Sequence, residues 1–162
     1  MLTRRSFTLT AAAFAGSQVF ARSPVPTSEN GNHTVLMLNA DCNDANLINV
    51  FEPPILHVAP GDTVTFVSTD AGHNTASKRG MLPDGAEPWN SIVNEDAPVT
   101  FDVPGVYGYV CVPHYEVGMV GLVVVGNDYS NLKSAKKVRQ VGDARKAFRA
   151  LFRELEAQRG QS

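Results

Sequence analysis

Basic residues are almost missing from the middle of this 162-residue chain. From Glu29 to Asp128 there are 13 carboxylates and only two cations, Lys78 and Arg79, whereas residues 129–162 carry nine bases and three acids. An acidic body with a basic tail argues against nucleic acid as a partner and suits a basic patch on whatever it docks with. The same charge division also fits a plain solvated surface that the tail partly neutralises.

Cysteine is scarce too. Cys42 and Cys111 are the only two, enough for one disulfide in an oxidising compartment, which a domain of this size does not need. Methionine occurs four times, too sparsely for a cluster of exposed thioethers. No hydrophobic run is long enough to span a membrane, which excludes membrane insertion by a helix.

No acid precedes Glu29. The opening "TRRSFTL" sets Arg4 and Arg5 before an apolar stretch from Leu9 to Gly16 and a Val19-Phe20-Ala21 end, the pattern of a twin-arginine export signal cut after Ala21. The expected organisation is a signal peptide over 1–21, a Pro/Ser/Asn/Gly-rich lead-in over 22–32, a β-sandwich over 33–128 and a helical extension over 129–162 that packs on it. The mature protein is then expected in the periplasm.

Short β-rich runs follow: "TVLMLN" (34–39), "ILHVA" (55–59), "DTVTFVS" (62–68), "APVTFDV" (97–103), "VYGYVC" (106–111) and "MVGLVVVG" (119–126). Pro60-Gly61, Pro83-Asp84-Gly85 and Pro104-Gly105 separate them. Val64 and Phe66 alternate with Thr63 and Thr65, the period of a strand with one buried face. Strands at this spacing without intervening helices predict an antiparallel sandwich. After residue 128 the period changes. Ala144, Ala147, Phe148, Leu151, Phe152 and Leu155 fall at helical spacing, with Asp143 as the expected N-cap and a shorter helix over 131–139 before it.

The stretch "CVPHYEVGM" places Cys111, His114 and Met119 in one loop between two strands, and His73 lies just beyond the strand "DTVTFVS". One thiolate, two imidazoles and a thioether form the donor set that favours copper, with a weak axial Met. Four ligands leave no position for a substrate, which speaks for electron transfer rather than catalysis. Taken singly each residue has a plainer role: His73 a surface histidine, Met119 a core residue, Cys111 a buried apolar group or a disulfide partner of Cys42, His114 a solvated ring. Around the four, Asn74 is placed to tie the two ligand loops together and donate toward the sulfur. Pro113 removes a backbone N–H beside it, and is expected to raise the reduction potential. A multicopper oxidase needs His-x-His pairs and a dinuclear centre needs two cysteines in one loop; neither pattern is present.

The chain resembles the cupredoxin family, in its pseudoazurin branch. The likeness runs through "FEPP" (51–54), "VAPGDTVTF" (58–66), "TDAGHN" (69–74), "MLPDGAE" (81–87), "PGVYGYVCVPHYEVGMVGLVVVG" (104–126) and "NLKSAKK" (131–137). It implies an all-β Greek-key sandwich of about eight strands with one or two C-terminal α-helices, one type 1 copper on His73, Cys111, His114 and Met119, and a periplasmic electron shuttle that is not an enzyme. It also implies docking through an apolar edge at Pro113, Tyr115, Val117 and Gly118, with a copper nitrite reductase or another reductase of denitrification as partner. One departure stands out. The family's lysine ring is absent, with Ala71 and Val110 at two of its positions and Glu116 inside the ligand loop, so a c-type cytochrome is an equally good partner. A periplasmic copper-binding or delivery protein is the alternative.

Overall fold

The computed structural model describes residues 31–41, 43, 44 and 46–160. The expected signal peptide, nearly all of the lead-in, and Cys42 lie outside the described residues. Eight strands precede two helices: β1 (Asn32–Ala40), β2 (Ile48–Glu52), β3 (Ile55–Val58), β4 (Asp62–Val67), β5 (Ala76–Ser77), β6 (Ala97–Phe101), β7 (Gly105–Val110), β8 (Val120–Val125), α1 (Leu132–Ala135) and α2 (Ala144–Arg159). They form two four-stranded sheets, in the orders β2-β1-β4-β6 and β3-β8-β7-β5, the Greek-key sandwich that the resemblance implied.

The sandwich is not wholly antiparallel. β1 runs parallel to β4 and β3 parallel to β8. Parallel neighbours require a crossover, and here the chain leaves one sheet after β2, builds β3 in the other, and returns for β4. Two strands were also absent from the sequence reading: β2, at the end of the polar segment after β1, and the two-residue β5.

Alternation decides what lies where. Along β7, Tyr107 and Tyr109 face the inter-sheet core, where their rings meet Phe51, Phe66 and Phe101. Val106 and Val110 face the opposite way, toward the helices. β8 divides likewise: Val123 and Val125 point to the core, and Val120, Leu122 and Val124 point to Phe148, Phe152 and Leu155 of α2. Both strands are therefore buried on both faces, which explains the unbroken apolar run at residues 122–125. Burying Phe148 in that layer is worth about 2–3 kcal/mol from area alone.

Two helix expectations change. α1 is one turn, not the whole of 131–139. Asp143 stands at the N-terminus of α2 but makes no side-chain cap. Its carboxylate meets Lys146 at 3.1 Å instead, and its backbone N–H donates to the Glu116 carbonyl at 2.8 Å, joining the helical extension to the ligand loop.

Candidate metal centre

Cys111 follows β7 directly and keeps its inward parity, so the thiol enters the core end of the sandwich. The loop behind it is closed by its own backbone. Cys111 N–H donates to the Met119 carbonyl at 3.0 Å, Met119 N–H donates to the His114 carbonyl at 3.1 Å, and His114 N–H donates to the Cys111 carbonyl at 3.2 Å. Gly118, at φ +102°, makes the reversal that brings Met119 back under the loop.

His73 arrives from the segment between β4 and β5. Its Nδ1 lies 3.7 Å from Cys111 Sγ and 3.1 Å from His114 Nδ1, and the latter lies 3.6 Å from the sulfur. These separations define a point roughly 2 Å from all three atoms, close to the bond lengths of first-row metals to imidazole nitrogen. His73, Cys111 and His114 form the one group of His, Cys, Asp or Glu side chains among the described residues whose donor atoms so converge. Met119 is buried in the same core cluster as Cys111.

The protonation states suit a cation. His73 Nε2 donates to Asn39 Oδ1 at 3.0 Å, which fixes the tautomer and leaves the Nδ1 lone pair facing the sulfur. Asn39 is held in turn by Asp70, whose carboxylate accepts its backbone N–H at 2.7 Å. Burial lowers the pKa of His73, helped by the neighbouring His114 and opposed by Asp70, so the ring stays neutral and available. Burial pushes the Cys111 thiol up, while hydrogen bonds from the Asn74 and His114 backbones pull it down. Coordinated by Cys111 Sγ, a metal ion would offset that penalty and hold the sulfur as thiolate. The residues present thus fit a soft, imidazole-accepting ion.

Asn74 bridges the two loops. Its Oδ1 accepts Val112 N–H at 2.8 Å, and its Nδ2 donates to Ser91 O at 3.0 Å and Asn90 Oδ1 at 3.2 Å. The donor to the sulfur is its backbone, not its amide. The expectation for Pro113 needs reversing on chemical grounds. Fewer donors would leave a thiolate more electron-rich and so favour an electron-poor oxidised metal, the opposite of the expected direction.

The expected docking edge divides. Pro113 and Val117 are exposed and His114 is partly exposed, in contrast to the fully buried His73. Tyr115 turns away: its ring packs with the helical layer, its hydroxyl donates to Gln140 Oε1 at 2.6 Å, and Lys78 Nζ sits 4.2 Å from the ring centre. Gly118 packs against α2 near Asp143 and Ala147. Val110, at a position of the missing lysine ring, is buried beneath the helices, while Ala71 is exposed.

Asn39 is the functional neighbour that the sequence reading missed. It lies 34 positions before His73, in a strand where nothing marks its amide as different from any solvated one.

A two-sheet Greek-key sandwich with His, Cys and His donors converging at one end defines a copper protein of the cupredoxin class. Residues 38–126 match the family of copper-binding proteins described as plastocyanin/azurin. The pseudoazurin of Methylorubrum extorquens is 44% identical over 107 residues, covering 66% of this chain and 72% of its own length. That of Paracoccus pantotrophus is 42% identical over 118 residues, covering 73% and 79%. The solved structure of a Sinorhizobium pseudoazurin aligns with TM-score 0.74 at 42% identity, over 77% of this chain and 96% of that one. The chain belongs to the plastocyanin/azurin family of copper-binding proteins, in its pseudoazurin branch. Its cofactor is accordingly one type 1 copper, and its chemistry is copper-based electron transfer.

Proposed function

We propose that this chain is a periplasmic single-electron carrier whose copper is held by His73, Cys111, His114 and Met119. The observation that carries the reading is the convergence of three donor atoms within 4.8 Å of one another, two of their residues buried and one reaching the surface. Copper bound there supplies a one-electron couple between Cu(I) and Cu(II). The protein's part is to keep the donors in place in both states. The Asn39 amide holds His73, the three backbone bonds of the loop hold Cys111 and His114, and Asn74 locks that loop to the segment carrying His73. Complete burial of His73 and Cys111, and near-complete burial of Met119, keeps water off the donor set. His114 is the edge through which the electron leaves, with Pro113 and Val117 as the exposed apolar contacts beside it.

Export supports the periplasmic assignment through Arg4, Arg5 and the apolar run after them, followed by the layout of lead-in, sandwich over 33–128 and extension over 129–162. Redox proteins are the partners: a copper nitrite reductase or another reductase as acceptor, a c-type cytochrome as donor. Asp44, Glu95, Asp96 and Glu116 are exposed on loops at the copper end, which favours the basic cytochrome on that side. The buried, four-donor site with one exposed edge favours this reading over copper delivery, which needs a ligand that can be surrendered.

Stopped-flow electron transfer with a c-type cytochrome and with a copper nitrite reductase, at increasing ionic strength, tests the assignment. Both reactions are expected to be fast, and the cytochrome reaction is expected to slow as salt rises. Acceleration by salt would contradict the acidic-face argument.

A further inference from the structure

A hollow lies between α2 and the segment that follows α1, outside the group of converging donor atoms. This groove, of about 650 Å³, is ringed by Lys136, Arg139, Arg145, Arg149 and Arg153, with Glu156 as its one acid. Glu156 is already engaged by Lys136 at 2.5 Å. All four arginines are exposed, and none forms an ion pair with another described residue. Arg145, Arg149 and Arg153 recur every four residues, so they stack on one face of α2, where like charges repel and weaken the helix. Glutamine would solvate that face equally well without the repulsion. A row of unpaired guanidinium groups beside a concavity is therefore an unfilled site for anions, with the forked geometry that carboxylates match.

Its position says which anion. Gln140, in the wall of the groove, accepts the hydroxyl of Tyr115, the residue after His114. Asp143 N–H is bonded to the Glu116 carbonyl, in the same ligand loop. The groove is thus joined to the copper loop by a hydrogen bond from its wall and a second from Asp143, next to its lining residue Gly142. The other loops at the copper end carry Asp44, Asp70, Glu95 and Asp96, which repel an acidic body and leave the groove as its landing place.

We propose that this groove docks the carboxylate-rich surface of a protein that exchanges electrons with the copper centre, so that the carrier meets partners of opposite charge on two different faces. The proposal rests on the electron-carrier reading. The lysines absent from the ligand surroundings are in effect replaced by arginines on the helical extension.

The test uses the full copper-loaded chain, a deca-glutamate peptide as probe, and two inorganic oxidants: anionic hexacyanoferrate(III) and cationic tris(phenanthroline)cobalt(III). In the Cu(I) form, the peptide is expected to shift backbone amide resonances of residues 139–153. R145Q/R149Q is expected to weaken peptide binding about tenfold and to slow oxidation by hexacyanoferrate about threefold, with the cobalt reaction unchanged. K133Q/K137Q removes the same charge outside the groove and is expected to change each quantity by less than about twofold. Equal effects from the two double variants would overturn the proposal, as would peptide shifts that map elsewhere. So would self-association of the chain that R145Q/R149Q abolishes, or binding to phosphatidylglycerol vesicles that the peptide fails to displace. A chain that transfers electrons to neither oxidant contradicts the carrier reading itself, not the groove.

Discussion

Asn74 and Val112 are 38 positions apart, and the side-chain oxygen of one accepts the backbone N–H of the other at 2.8 Å. That bond fastens the loop that supplies Cys111, His114 and Met119 to the segment that supplies His73. Asn74→Ala leaves Val112 N–H without its partner and removes a donor from Ser91 O, a loss of about 1–3 kcal/mol. Urea unfolding of the Cu(I) protein is expected to show it, together with faster loss of copper to a chelator.

Pro113→Ala restores a backbone N–H next to the thiolate. A hydrogen bond to that sulfur worth about 1 kcal/mol in favour of the reduced state raises a one-electron potential by about 40 mV. Redox titration measures the shift; an unchanged potential would mean that the new N–H does not reach the sulfur, and a fall would contradict the argument.

Gly142 has φ +50°, and a Cβ built there meets the backbone of Glu116. Gly142→Ala therefore strains a close contact between the helical extension and the ligand loop, at a cost of about 1–3 kcal/mol. Thermal unfolding is expected to fall, and the visible spectrum of the copper form is expected to change with it, since Glu116 moves with His114.

Asp62 accepts the His33 ring nitrogen at 2.8 Å and the Ala59 N–H at 2.8 Å, and these bonds hold its pKa below the usual carboxylate value. A depressed carboxylate stabilises the fold above its unfolded pKa, and the benefit is lost as pH falls through its folded value. Asp62→Asn is thus expected to be less stable than the parent near neutrality, with the gap closing below about pH 4. Urea midpoints across pH check this; a gap that widens in acid contradicts it.

Much of this site was legible because its donors are local. Cys111, His114 and Met119 share nine residues between two strands whose burial keeps the loop ends fixed, and His73 follows a strand with clear alternation. What escaped depends on distant contacts. Asn39 reaches His73 only because β1 and β4 pair in parallel, and that pairing follows from a crossover between sheets, which residue periodicity does not encode. The two-residue β5 is a strand by its ladder to β7 and a bridge to Asn90. Tyr115 turned inward because Gln140, 25 positions later, waits for its hydroxyl. The charge division was visible as arithmetic, but only the packing of α2 gathered the bases into one groove.

In the proposed site Cys111 is a thiolate ligand of a type 1 copper shared with His73, His114 and Met119. Visible absorption of the protein loaded with Cu(II) tests it most directly. An intense charge-transfer band from sulfur to copper, lost in Cys111→Ser, is the predicted result; a colourless Cu(II) adduct, or a band that survives the substitution, would contradict it.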